Sequence, residues 1–189
     1  MKKLTLAMPQ LIRDIDPFEI KQATEECLTN LDQAIEVECL HHTTSLMRLT
    51  LTKHSYYFVY NSNTRGIEYF VRHRKVDLGN LLPIKPGRQV LVKRTKASVL
   101  TAGIAAKVFW NYLFPEYHCL VTDSQQTEKG REFWSYMIKE AFERGKTVRI
   151  INTNDRTFVE PKDVHEFDNM SLQIWGSVAW FQRMAVAIF

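Results

Sequence analysis

Residues Leu100-Thr-Ala-Gly-Ile-Ala105 set Gly103 and Ala105 two apart at the opening of a helical segment. That pattern suits phosphate chemistry. A helix N-terminus presents unpaired backbone N–H groups and the positive end of its dipole. Small side chains let a pyrophosphate approach those groups, and Lys93, Arg94 and Lys96 lie close in sequence. The same small residues also permit close packing of a helix on a sheet, so both uses stay open. Glu68 is an isolated acid in a basic stretch and falls on a strand. It is the candidate general base, with a solvent-facing strand position as the alternative. Asp123-Ser124 follows a short strand, a common place for function in α/β sheets and equally a helix-capping pair.

Other chemistries find less support. His41-His42 has no acid at ligand spacing and reads as a turn. Asp163, His165, Glu166 and Asp168 carry cation donors by composition, but within a polar stretch lacking His-x-x-x-His or cysteine. No Gly-x-Ser-x-Gly elbow, complete Walker sequence or dinucleotide Gly-rich run occurs. Cys27, Cys39 and Cys119 are an odd, scattered set with no Cys-x-x-Cys pair, which supports neither a zinc knuckle nor a disulfide framework and fits a reducing, cytoplasmic setting.

These residues need elements to hold them. Asp16, Pro17 and Glu19 mark the start of a helix over 17–34, with Phe18, Ile20, Ala23, Cys27, Leu28 and Leu31 on its apolar face. Strand-like segments follow at 35–40, 46–52, 56–61, 67–72 and 89–94, an antiparallel meander. The period then becomes helical over 102–114, with Pro115 as its stop. A strand over 117–122, a helix over 127–144 ended by Gly145, and a strand over 147–152 come next. The alternation predicts parallel pairing of 89–94 or 117–122 with a neighbour. The stretch 152–169 reads as a loop, and Leu172–Trp175 and Met184–Ile188 as closing strands.

This order resembles the GNAT superfamily, the acyl-CoA-dependent N-acyltransferases, most sharply from Gln89 to Asn152. The resemblance implies one α/β (α+β) domain over 1–189, a mixed sheet with an antiparallel meander followed by β-α-β-α-β. It implies acetyl-CoA held by Val92 and Arg94 on the strand and by Leu100, Thr101, Ala102, Gly103, Ile104 and Ala105. The family's loop reads Gln/Arg-x-x-Gly-x-Gly/Ala; Gly103 and Ala105 match, and Leu100 departs. The family often protonates the departing thiolate with a Tyr in the next helix. Trp134 stands near that position and cannot serve, so Tyr136, two residues on, is the candidate. The implied reaction is transfer of an acetyl group to an amine of a small molecule or protein, with Glu68 as base.

Composition bounds these readings. The chain has 189 residues, 45% apolar, enough for one sizeable core. From Arg65 to Lys107, ten Lys or Arg face only Glu68 and Asp77, which suggests an anionic partner. Tyr69, Phe70, Arg72, His73, Arg74 and Lys75 interleave rings and cations, as single-stranded nucleic-acid binding would use. The apolar end, 170–189, is too interrupted to span a membrane. It reads as a closing element or as a docking surface for a protein partner, with Trp175, Trp180 and Phe181 as anchors. The overall texture also resembles phage and mobile-element proteins, which implies a virion component or an inhibitor of a host defence system, acting without catalysis.

Overall fold

In a computed structural model, residues 10–11, 17–84, 86–94, 103–122, 125–126, 128–175 and 184–189 are described. In chain order the elements are β1 (Gln10–Leu11), α1 (Pro17–Thr29), β2 (Ile35–His41), β3 (Thr44–Thr50), β4 (Ser55–Asn61), β5 (Gly66–Val76) and β6 (Gly87–Arg94). A helical run then comprises α2 (Ile104–Val108), a π-helical turn (Phe109–Leu113) and α3 (Phe114–Tyr117). The remainder is β7 (Leu120–Thr122), β8 (Gln125–Gln126), α4 (Glu128–Glu143), β9 (Val148–Asn152), β10 (Thr157–Val159), α5 (Val164–Trp175) and β11 (Met184–Ile188). The chain is thus mixed α/β, and its strands pair mostly antiparallel.

The residues group into two compact units, one from Ile15–Lys75 and Val90–Glu116, the other from Met1–Asp14, Val76–Gln89 and Tyr117–Phe189. In the first unit β2, β3, β4 and β5 form the expected antiparallel meander, with β6 next to β5. Alternate residues of β4 face opposite sides. Tyr56 and Phe58 join Leu49, Ile67 and Phe70 beneath Ala23 and Cys27 of α1. Tyr57 faces the other way and stacks on Tyr112 of the π turn, ring centroids 5.4 Å apart.

α1 starts at Pro17 as expected but ends at Thr29, short of Ala34. Asn30 donates its side-chain amide to the Glu26 carbonyl at 2.8 Å and so competes with the next turn of the helix. The expected apolar face is only half buried: Ala23 and Cys27 are inside, while Phe18 and Leu28 are exposed. Pro115, expected to stop a helix, instead lies within α3. The π turn before it widens the backbone and accommodates a residue that cannot donate.

In the second unit the order is β10-β9-β11-β7, with β6 beside β7. β11 pairs antiparallel with both β7 and β9, so those two run the same way without touching. Of the neighbours that 117–122 could pair with in parallel, β9 is therefore not one: β7 and β9 each pair antiparallel with the inserted β11. α4 buries Trp134, Met137, Ile138 and Ala141 and packs on α5 and β9. Opposite corrections apply to the last third of the chain. Stretch 152–169 is not a loop throughout: it holds β10 and the start of α5. Asn152 Oδ1 accepts the N–H groups of Asn154 and Asp155, each at 3.1 Å, and turns the chain into β10. Asp163 Oδ1 accepts the Glu166 N–H at 2.8 Å, an N-cap. Leu172–Trp175 is the end of this helix rather than a strand, because Phe167 and Ile174 recur at helical spacing and are buried. Met184–Ile188 is a strand as expected.

One close approach carries a prediction. A Cβ on Gly87 would meet Leu82 Cδ1 at 2.8 Å, Val121 Cγ2 at 3.2 Å and Cys119 Sγ at 3.4 Å, and all three neighbours belong to one core cluster. Gly87→Ala should therefore destabilise the protein by about 1–3 kcal/mol through overpacking. The urea midpoint measures this; an unchanged midpoint would show that the contact relaxes freely.

Candidate functional site

The expected cofactor loop is partly within the described residues. Val92 is half-buried on β6, and Arg94 ends that strand. Leu100, Thr101 and Ala102 lie outside the described residues. Gly103 precedes α2 with φ +73°, a left-handed conformation that favours glycine. It is exposed, and a Cβ there would meet nothing within 4 Å among the described residues. The Lys107 N–H donates to the Gly103 carbonyl at 3.0 Å. The N–H groups of Ile104, Ala105 and Ala106 come before that bond and have no acceptor further back within the helix. The side chains of Ile104 and Ala105 are buried. Ala105 thus serves packing, while no described residue fills the space beside Gly103 at the start of the helix.

Glu68 is buried, 8% exposed. It does not face solvent, because both faces of β5 are covered here: the consecutive Tyr69, Phe70 and Val71 are all buried. Val59 pairs with Tyr69 and Tyr60 with Ile67, so Glu68 is the extra residue of β5. Its Oε1 accepts Asn61 Nδ2 at 2.9 Å. Its Oε2 is out of contact with solvent and has no hydrogen-bond partner among the described residues. An unsatisfied buried acceptor costs ~1–3 kcal/mol, more when charged, so native structures keep few of them without a use.

Two further polar networks in the first unit were not visible in the sequence. Lys107 Nζ donates to Glu38 Oε1 at 2.5 Å and Tyr112 donates its hydroxyl to Oε2 at 3.2 Å. The Lys107 bond holds the Glu38 carboxyl below its ordinary value against the opposing effect of burial. Burial and the Glu38 bond push the Tyr112 phenol up. Glu26 Oε2 accepts the Tyr56 hydroxyl at 2.6 Å and meets His54 Nε2 at 2.9 Å. Burial raises the Glu26 carboxyl, and the Tyr56 and His54 bonds with the nearby His54 and Arg72 charges together bring it below the usual carboxylate range. The partners are 28 to 74 residues apart in sequence, so no local pattern announces them.

The remaining candidates are placed as follows. Tyr136 is 58% exposed on α4, and Trp134 is buried at 2%. Tyr136 and Glu68 belong to different units. Asp163 and Glu166 serve the start of α5, Glu166 Oε2 accepting the Lys162 N–H at 2.8 Å. Asp168 pairs with Lys139 at 3.6 Å, and no group of metal-binding side chains occurs among the described residues. His41 ends β2 and His42 begins the turn, their rings edge to face. Cys27 and Cys119 are buried, and burial first of all pushes their thiols up, to about 12 and about 11, so neither is a thiolate at neutral pH. Within the basic span Arg72 pairs with Glu19 and Lys107 with Glu38. The unit that holds them counts eleven Lys or Arg against nine Asp or Glu, a far milder excess than the span alone. Trp175 is buried at 6%, whereas Trp180 and Phe181, like Asp16, Lys96, Asp123 and Ser124, lie outside the described residues. No helix among the described residues is long and apolar enough to cross a membrane.

The arrangement defines a mixed α/β protein with a glycine-led helix entry and a buried, half-satisfied carboxylate in the same unit. No family model, curated protein or solved structure matches the chain.

Proposed function

We propose that the chain is a GNAT-like, acyl-CoA-dependent N-acyltransferase that moves an acetyl group onto an amine of a small molecule or protein. The observation that carries this reading is Gly103, left-handed and open to a ligand where the helix after β6 begins. The succession β6, helical run, β7, α4, β9 supports it. Acetyl-CoA would supply the activated acyl group as a thioester. The N–H groups of Ile104, Ala105 and Ala106 would receive its pyrophosphate, and the cationic stretch around Arg94 would favour the anion's approach. Glu68 would take the proton that the attacking amine must lose.

A second reading is favoured by one observation. Trp134, near the position of the family's acid, is buried and has no proton to give a thiolate, and Tyr136 is 58% exposed on α4. A protein of this architecture that binds without catalysis, through protein contacts, fits that arrangement.

Calorimetry with acetyl-CoA tests the first reading. The wild-type protein should bind in the micromolar range. Gly103→Glu, which puts bulk and negative charge in the open space, should abolish binding. Gly103→Ala imposes the same backbone strain, ~1–2 kcal/mol, without the charge, and should retain most of it. Absence of binding at millimolar acetyl-CoA by folded protein removes the acyltransferase reading. Binding without turnover over a panel of amines favours the second.

A further inference from the structure

We propose that β10 is a docking edge for a second copy of this chain, the two β10 strands pairing antiparallel about a two-fold axis at Phe158. The inference does not depend on the acyltransferase reading. β10 pairs with β9 on one side and ends the order of its sheet, so no strand among the described residues takes its outer edge. All three of its residues are exposed, Phe158 at 46% and Val159 at 48%.

An outer strand leaves backbone N–H and C=O groups unpaired, and proteins that stay apart protect such edges with bulges or with charges on the strand. β2, the outer strand of the first unit, has both: its register is broken twice, and it carries Glu36 and Glu38. β10 has neither. Its pairing to β9 runs without a break, and Thr157-Phe158-Val159 is uncharged. The charges stand just outside it, Arg156 before and Glu160 after.

Those two charges select the occupant. In an antiparallel pair centred on Phe158, Thr157 faces Val159 of the partner subunit, Phe158 faces the partner's Phe158, and Arg156 faces the partner's Glu160, once at each end. A pair centred on Thr157 or on Val159 loses both charge pairs. The segment is therefore self-complementary, as a two-fold interface requires. Both charges are available for it. Arg156 is exposed and is held by no ion pair among the described residues, and Glu160 gives Arg149 only its Oε1, leaving Oε2. Arg156 has φ +55°, so backbone pairing stops at Thr157 and Arg156 contributes its charge alone. So short an edge falls below the ~1,000 Å² of a stable complex, and the dimer is a weak one.

Sedimentation equilibrium of the full-length protein from about 10 micromolar to about 1 millimolar tests the pairing. The average mass should climb from 22.2 kDa toward twice that value. Arg156→Glu, which sets like charges against each other at both ends, should hold it at the monomer. Cysteine pairing reads the register, with the exposed Cys39 first replaced by Ser. Residues facing each other across an antiparallel pair have Cα atoms ~4.5–5.5 Å apart, within disulfide reach. Phe158→Cys should therefore cross-link under mild oxidation. Val159→Cys lies two residues off its own copy, ~8 Å away and out of reach, and should not. The wild-type series and Arg156→Glu decide the matter even where Phe158→Cys does not fold. A monomer mass throughout, a mass that climbs past the dimer, association untouched by Arg156→Glu, or equal cross-linking through Val159→Cys overturns the proposal.

Discussion

Phe58→Ala is expected to cost about 3–5 kcal/mol, the upper range for loss of a buried ring. Phe58 has no solvent exposure and sits at the middle of β4. It pairs across to Met47 on β3 and to Phe70 on β5. Ala23 and Cys27 of α1 close the cluster from above. Collapse into the resulting hole is hindered, because β4 is hydrogen-bonded on both edges and cannot shift without breaking two ladders. Against a total stability of ~5–15 kcal/mol, the loss would remove at least about a fifth. Urea denaturation measures it. A loss under about 1 kcal/mol would show that the neighbours refill the space and that β4 is not the central support of its unit.

The second large effect is a dependence on pH that runs through Glu26. Its carboxyl titrates lower in the folded protein than the ordinary 4.5, because the Tyr56 and His54 bonds and the His54 and Arg72 charges outweigh burial, the largest single influence. A lowered folded value means the ionised form is held more tightly in the native state. Its stabilisation is present above about pH 4.5 and fades as the pH falls through the folded value. Tyr56 has the opposite sign: burial and the Glu26 bond raise its phenol, so its share holds below pH 10 and is lost only as the phenol ionises at higher pH. Glu26→Ala should cost about 1–3 kcal/mol at neutral pH, since it strands the Tyr56 hydroxyl. Part of that is offset because Glu26 is about one-third exposed. Glu26→Gln should lose less, and the gap between it and wild type should narrow as the pH drops below about 4.5. A gap that stays constant from pH 7 to pH 3 would remove Glu26 from the acid response.

Much of the meander was legible because its segments alternate and its turns carry the right residues. Asn61-Ser62-Asn63-Thr64-Arg65-Gly66 reads as a turn, and Asn61 does cap it. Other features were present in the sequence but outweighed. Asp163 and Glu166 stand three apart before Phe167, Met170 and Ile174, a helix-start signature. The polar composition of 152–169, without a clear period, masks it. The bulge at Glu68 had no signal, because Ile67-Glu68-Tyr69-Phe70-Val71 shows no period to interrupt. Glu38 with Lys107 and Glu26 with His54 join distant segments, and only the folded register brings them together. The place of β11 was likewise illegible. Its residues spell a buried strand, but nothing local says that it enters between two earlier ones.

That insertion has a consequence for synthesis. β7 and β9 leave the ribosome before the strand that joins them. At ~5–20 residues per second, the interval is of the order of seconds. Throughout it, each of the two presents an unpaired edge of the kind that templates association between chains. Val186, Ala187 and Ile188, all fully buried once in place, close that slot from within. Until they arrive, the nascent chain carries a one-strand gap that an extended segment of a neighbouring nascent chain can enter instead, so polysome crowding is the condition under which this unit is most exposed to exchange of its last strand.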